Sequence, residues 1–198
     1  MQIKTTNVAT HLTALAASEP DRVAVYMPRR SGGKLNNDSL TFRALDTLSS
    51  HVARGLHEIG IQRGVRTVLM VRPSIDFFAL TFALFKVGAV PVLIDPGMGI
   101  RNLGRCLAEA KPEGFIGIPK AHIARRILRW GGKTIRITVT TGSRLLGGKH
   151  TVAELRATGE RLGPLTIAET RPDETAAILF TSGSTGMAKG AVYTHGIF

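Results

Sequence analysis

Hydrophobic positions along the chain fall into two spacings, and their succession predicts the elements. Leu45, Leu48, Val52, Leu56 and Ile59 recur every three or four residues. That spacing puts side chains on one helical face, and Gly60 supplies a stop. An earlier helix carries Val8, Leu12, Leu15 and Ala16 behind Asn7 as its cap and ends near Pro20. Val23 to Met27 reads as a short strand and Ser31 to Ser39 as a polar turn. Thr67 to Val71 is a buried strand, Ser74 caps a helix through Phe85 that is apolar nearly all round, and Val90 to Ile94 is a strand ending in the turn Asp95-Pro96-Gly97. The rhythm continues with a helix from about Asn102 to Ala110, a strand Gly114 to Ile118, a basic helix Ala121 to Trp130 and a β-branched strand Thr134 to Thr140. Thr141 to Lys149 reads as a loop, Val152 to Arg156 as a helical turn and Ala176 to Phe180 as an apolar strand. Val192 and Tyr193 continue as a strand, and Thr194 is placed to cap a following helix. Strands alternating with helices predict an α/β fold of largely parallel sheets flanked by helices.

Composition adds little to this, and charge adds more. The single Cys106 excludes an intrachain disulfide. The start MQIKTTNVAT lacks the basic and apolar regions of a signal peptide, so a cytoplasmic protein is expected. The longest apolar stretch, Phe77 to Ile94, is broken by Lys86, Gly88 and Pro91, which suits a buried helix and strand rather than a membrane span. Of the formal charge of +12, residues 101–149 hold +9, with eleven basic residues against Glu109 and Glu113. Within that segment Ile123, Ile127 and Trp130 are expected on one side of a helix and Arg125, Arg126 and Arg129 on another. A solvated face accounts for this, and so does attraction to anionic lipid at a membrane periphery, to a phosphate-bearing ligand or to an acidic partner. Nucleic acid is not expected, because aromatics are 6% of the chain and no basic and aromatic platform is interleaved.

The segment with the clearest chemistry is Thr181-Ser182-Gly183-Ser184-Thr185-Gly186-Met187-Ala188-Lys189-Gly190, directly after the apolar strand. Its three glycines allow backbone N–H groups to turn toward one anion, its four hydroxyls add donors, and Lys189 adds a full charge. Such a loop suits polyphosphate. It is not a P-loop, because Lys189 lies between Ala188 and Gly190, and the decoy Gly147-Gly148-Lys149 is followed by His150. No nucleophile elbow fits around Ser182 or Ser184. His195 reads either as a structural histidine near a helix start or as a substrate-pocket residue. The other histidines, His11, His51, His57, His122 and His150, are too dispersed for a metal site, and none is expected.

The stretch A-I-L-F-T-S-G-S-T-G-M-A-K-G, Ala177 to Gly190, resembles the phosphate-binding signature of adenylate-forming (AMP-binding) enzymes, the acyl-CoA synthetase superfamily. Leu40 to Leu45 (L-T-F-R-A-L) and Leu84 to Asp95 (L-F-K-V-G-A-V-P-V-L-I-D) are similar to that family's first and second core motifs, in the same order. Ala188 departs from the usual Pro, a change that costs loop rigidity without removing a ligand. Val71 to Gly99 and Phe115 to His122 resemble the β-lactone synthetases of bacterial long-chain olefin biosynthesis.

The resemblance implies ATP and Mg²⁺ as cofactors, with Thr181, Ser182, Gly183, Ser184, Thr185, Gly186, Lys189 and Gly190 holding the ATP phosphates. It implies a long-chain fatty acid as substrate, and in the subfamily a 2-alkyl-3-hydroxy fatty acid closing to a β-lactone. CoA enters only if the chain is instead a fatty acyl-CoA ligase. Independently of that choice, the basic 101–149 segment offers a contact for an anionic membrane surface or for pathway partner enzymes. The family's adenine, ribose and Mg²⁺ ligands and catalytic lysine lie downstream of this motif, and the chain ends eight residues after Gly190. Residues 1–198 are therefore expected to be the N-terminal portion of an AMP-binding domain, with catalytic residues beyond Phe198 and no activity in this part alone. The alternative is a non-catalytic fragment or basic binding module.

Overall fold

The computed structural model describes residues 6–31, 34–181 and 189–198. Helix α1 (Ala9–Ser18) precedes an antiparallel pair, β1 (Val23–Ser31) and β2 (Lys34–Thr41). Helix α2 (Phe42–Glu58) leads into β3 (Arg66–Met70), α3 (Ile75–Lys86) and β4 (Val90–Ile94). Then follow α4 (Ile100–Ala110), β5 (Gly114–Gly117), α5 (Pro119–Ile127), β6 (Ile137–Thr140), β7 (His150–Thr151), α6 (Val152–Leu162), β8 (Thr175–Thr181) and β9 (Lys189–Thr194). Seven strands form one sheet in the order β7-β6-β5-β3-β4-β8-β9, parallel throughout except for the antiparallel edge strand β9. The α/β class with a mostly parallel sheet is thus as the alternating pattern predicts.

The period of two in the strands builds the layers. Leu69 and Ile116 join Val52, Leu56, Leu80, Leu84 and Leu155 in a core under α2, α3 and α6. Their chain neighbours Val68 and Phe115 join Leu103, Cys106, Leu107 and Ala121 in a second core under α4 and α5. Successive side chains of one strand serve opposite faces, so near-continuous apolar strands are what a sheet covered on both sides requires. Helix α2 meets α6 through Gly55 and Gly159: a Cβ on Gly159 would lie 2.0 Å from the His51 carbonyl oxygen, and one on Gly55 2.3 Å from that of Leu155. Only residues without side chains allow so close a crossing.

Helix starts follow local chemistry. Thr41 Oγ1 accepts from Ala44 N–H and Ser74 Oγ from Phe77 N–H, satisfying first-turn donors that have no partner inside the helix. Asn7 does more than cap. Its Oδ1 accepts from Ala9 N–H while its Nδ2 donates to the Phe85 and Ala168 carbonyls, pinning α1 to the end of α3. Among the described residues no helix is long and apolar enough to cross a membrane.

Three expectations are corrected. Much of the polar stretch Ser31 to Ser39 is strand, with β2 pairing along β1, because backbone hydrogen bonds to a partner form a ladder that needs no hydrophobic alternation. Val152 to Arg156 is the start of the full helix α6, whose capping box pairs Thr151 with Glu154. The basic helix faces differently from its predicted amphipathic pattern. Ile127 is 73% exposed and Ile123 is exposed too, whereas Arg125 is half-buried with its guanidinium 5.7 Å from the Phe115 ring centroid. Trp130 reaches the core because the helix has already ended. Arg129 takes a left-handed backbone, with φ 53°, and the N–H groups of Arg129 and Trp130 donate back to Arg126 and Arg125. That is a Schellman ending, which turns the following side chain inward.

Candidate functional site

The sheet's connections choose where a ligand can sit. After β3 the chain crosses to α3 on one face of the sheet, and after the adjacent β4 it crosses to α4 on the other. Adjacent strands whose connections diverge leave a crevice beyond their carboxyl ends. There a cavity of about 590 Å³ is lined by Met70, Val71, Leu93, Ile94, Phe180 and Thr181 among others. Its walls are apolar and its charged rim consists of Arg72 and Asp95, both exposed. Asp95 is engaged locally, its Oδ1 accepting from Gly97 N–H at 2.8 Å within the turn that ends the strand.

The glycine and hydroxyl motif opens from this same edge. Thr181 ends β8 at the cavity, and Lys189 begins β9 directly opposite it in antiparallel register, so the two ends of the motif are held together at the carboxyl edge. Paired α-carbons in such a ladder are about 4.5–5.5 Å apart. Ser182, Gly183, Ser184, Thr185 and Gly186 lie outside the described residues, as does the Lys189 side chain. Gly190 is described, and its surroundings are informative. It pairs with Phe180, and a Cβ there would lie 2.9 Å from that residue's ring. Gly190 therefore lets the Phe180 ring lie across the neighbouring strand, a packing duty that the motif pattern alone does not reveal.

His195 is not gathered with these residues. Strand β9 runs away from the carboxyl edge, Thr194 pairing with Thr175 at the other end of β8. At about 3.3 Å per residue, His195 lies roughly 20 Å from Lys189 along the strand. Its imidazole is 1% exposed, Nδ1 accepts from Val8 N–H at 3.3 Å, and its backbone N–H donates to Glu174. Burial pushes its pKa down, the Glu174 carboxylate opposing, and the lowered value agrees with an accepting Nδ1. His122 is likewise fully buried, with Nε2 2.9 Å from the Val139 carbonyl. The apolar cavity wall went unread in the sequence because it is assembled from four strands distant in the chain. The one available signal is that β3, β4, β5 and β8 all end at one edge.

The AMP-binding enzyme family model matches residues 12–198. The chain belongs to this family of AMP-binding enzymes. Within it, the chain is 53% identical over 96% of its length to an olefin β-lactone synthetase of Stenotrophomonas maltophilia, and 50% identical over 96% to one of Xanthomonas campestris pv. campestris. It spans 35% and 34% of those relatives. Among solved structures, a long-chain-fatty-acid-CoA ligase from Archaeoglobus fulgidus matches 98% of the chain with TM-score 0.80 at 19% identity, the chain covering 38% of that structure. The apo structure of MbtA from Mycobacterium smegmatis matches 99% with TM-score 0.81 at 23% identity, the chain covering 35% of it. These two likenesses establish a shared fold, and the family model bears out the family resemblance carried by Ala177 to Gly190.

Proposed function

We propose that residues 1–198 form the N-terminal portion of an AMP-binding domain, and that the complete protein activates a fatty carboxylic acid as its acyl adenylate. A carboxylate oxygen attacks the α-phosphorus of ATP, a new phosphorus–oxygen bond forms, and the bond to pyrophosphate breaks with the electron pair leaving on pyrophosphate. The charge is spread over phosphoryl oxygens, so catalysis rests on positioning and electrostatic stabilisation. In this reading Thr181, Ser182, Ser184, Thr185 and Lys189 and the backbone of the three glycines contact the β- and γ-phosphates. Pairing of Thr181 with Lys189 beside the crevice supports it. The described residues offer no group of three metal-ligating side chains, so Mg²⁺ would enter on the nucleotide phosphates and downstream groups.

The observation that carries the finer reading is the 53% identity, across 96% of the chain, to an olefin β-lactone synthetase. The substrate is then a 2-alkyl-3-hydroxy fatty acid, whose 3-hydroxyl oxygen attacks the adenylate carbonyl and gives up its proton to solvent. The acyl carbon–oxygen bond to AMP breaks with its electron pair leaving on AMP, and the β-lactone closes. Incubating the complete protein with that acid, ATP and Mg²⁺, with and without CoA, tests this by mass spectrometry. A β-lactone formed without CoA supports the reading. A thioester formed only with CoA replaces the subfamily assignment while keeping adenylation, and the absence of AMP under both conditions removes both.

A further inference from the structure

Where α5, the start of β6 and the 144–149 loop meet, a cavity of about 440 Å³ is lined by Arg125, Arg126, Arg136, Arg144 and Lys149, with Thr138 between them. No carboxylate among the described residues lines it. Among the described residues Arg125, Arg126, Arg136 and Lys149 form no ion pair, and Arg144 alone reaches one, 3.5 Å from Glu154. Five cations around one cavity repel each other, and four of them have no carboxylate partner among the described residues.

The surrounding structure fixes this cluster in place. Arg126 Nη2 donates to the Gly147 carbonyl at 3.1 Å, and Arg144 Nε and Nη2 both donate to the Lys149 carbonyl, so guanidinium groups tie the loop to itself and to α5. Lys149 N–H donates to Thr138 Oγ1 at 3.0 Å. Gly148 lies so close to the strand that a Cβ would meet Thr140 N at 2.8 Å and the Thr138 carbonyl oxygen at 2.9 Å, which fixes the path of the loop. Arg125 is the telling member. Its stem is half-buried, its Nε is shielded from water, and that N–H has no acceptor among the described residues. The guanidinium lies over the Phe115 ring at 5.7 Å, so Arg125 holds its charge at the cavity wall beside Arg126, and a wall of such cations attracts an anion. Burial and neighbouring Arg126 both push the Arg125 pKa down, as expected where positive charge is crowded and poorly solvated.

We propose that this cavity binds a phosphoryl group, a compact multivalent anion that forked guanidinium donors grip in pairs. It is separate from the glycine and hydroxyl motif, whose described ends lie beside the crevice at the carboxyl ends of β3, β4 and β8. The gripped group belongs either to a free phosphate ester or to the headgroup of an anionic lipid, and the chemistry of the grip is the same.

Titration calorimetry of the complete protein with inorganic pyrophosphate, on the parent and on Arg136→Gln, Lys149→Gln and Lys189→Ala, tests the site. Arg136 and Lys149 are exposed cations without described ion pairs, and unchanged melting curves verify that their variants fold. Two pyrophosphate sites are expected in the parent: Arg136→Gln and Lys149→Gln each weaken one of them about tenfold, while Lys189→Ala weakens only the other, at the glycine and hydroxyl motif. Flotation with phosphatidylcholine vesicles, with and without phosphatidylglycerol, separates the sources. Binding only to phosphatidylglycerol vesicles, lost in Arg136→Gln and Lys149→Gln, assigns the site to a lipid headgroup. If Lys189→Ala abolishes pyrophosphate binding and the other two variants preserve it, with no difference between vesicles, the site is overturned and the adenylation reading stands. No saturable binding to either probe overturns it as well.

Discussion

The ammonium of Lys86 lies 2.8 Å from Oδ1 of Asp46, with the Asp46 carbonyl and Ser50 Oγ each 2.7 Å away, so all three of its protons have acceptors. The side chain is only 2% exposed. Burial drives the lysine pKa down and the Asp46 carboxylate pulls it back up. Because Asp46 Oδ1 also accepts from Thr13 Oγ1, one carboxylate joins α1, α2 and α3. Lys86→Ala leaves Asp46 without its cation and opens a void between helices. A loss of about 3 kcal/mol is expected, at the low end for a buried pair because Asp46 remains partly in contact with water. Urea unfolding measures it, and Lys86→Met should recover part of the loss by refilling the void.

Gly159→Ala probes the crossing of α2 and α6. Its added carbon would meet a backbone oxygen 2.0 Å away, and backbone cannot rotate aside as a side chain does. The helices must part, at an expected cost of about 2–3 kcal/mol by thermal melting. A melt unchanged from the parent would show that α6 can slide.

Glu174 gives the protein an acid limit. Arg63 holds its carboxylate in a two-pronged grip and Arg171 N–H adds a third contact, so its pKa is lowered, the Arg63 hydrogen bond being the main cause. A carboxyl group depressed in the folded state contributes stability above its unfolded pKa and loses it as pH falls through the folded one. Denaturation midpoints should therefore decline from the ordinary glutamate range downward, and Glu174→Gln should start lower and flatten that slope. Parallel curves for parent and variant would assign the acid loss elsewhere.

Lys189→Ala in the complete protein should cost about 2–4 kcal/mol in kcat/KM for adenylate formation, because a cation beside departing pyrophosphate acts most strongly in the transition state. Pyrophosphate exchange reads it directly. Activity within a factor of two of the parent would exclude Lys189 from the phosphates.

Where one segment both forms and buries an element, the sequence is legible. The face of α2, the Ser74 cap and the strands around β3 follow from spacing alone. Legibility fails where a partner decides. Lys34 to Ser39 is polar enough for a turn, yet pairing with β1 makes all of it strand. Arg125 counts as charged in any pattern, but its guanidinium lies over the Phe115 ring while Ile127 stays in water. The site divides in the same way. The glycine and hydroxyl motif is contiguous and readable, whereas the crevice beside its described ends depends on which face of the sheet each connection takes.

Strand order also dictates timing during synthesis. β4, all five of its residues apolar, lies between β3, made earlier, and β8, which follows only after α4, β5, α5, β6, β7 and α6. Ribosomes add about 5–20 residues per second, so one edge of β4 waits roughly 4–17 s for its neighbour. For that interval the nascent chain exposes an apolar template on which another strand can pair, and the yield of folded protein depends on what shields Val92 until Ile178 arrives.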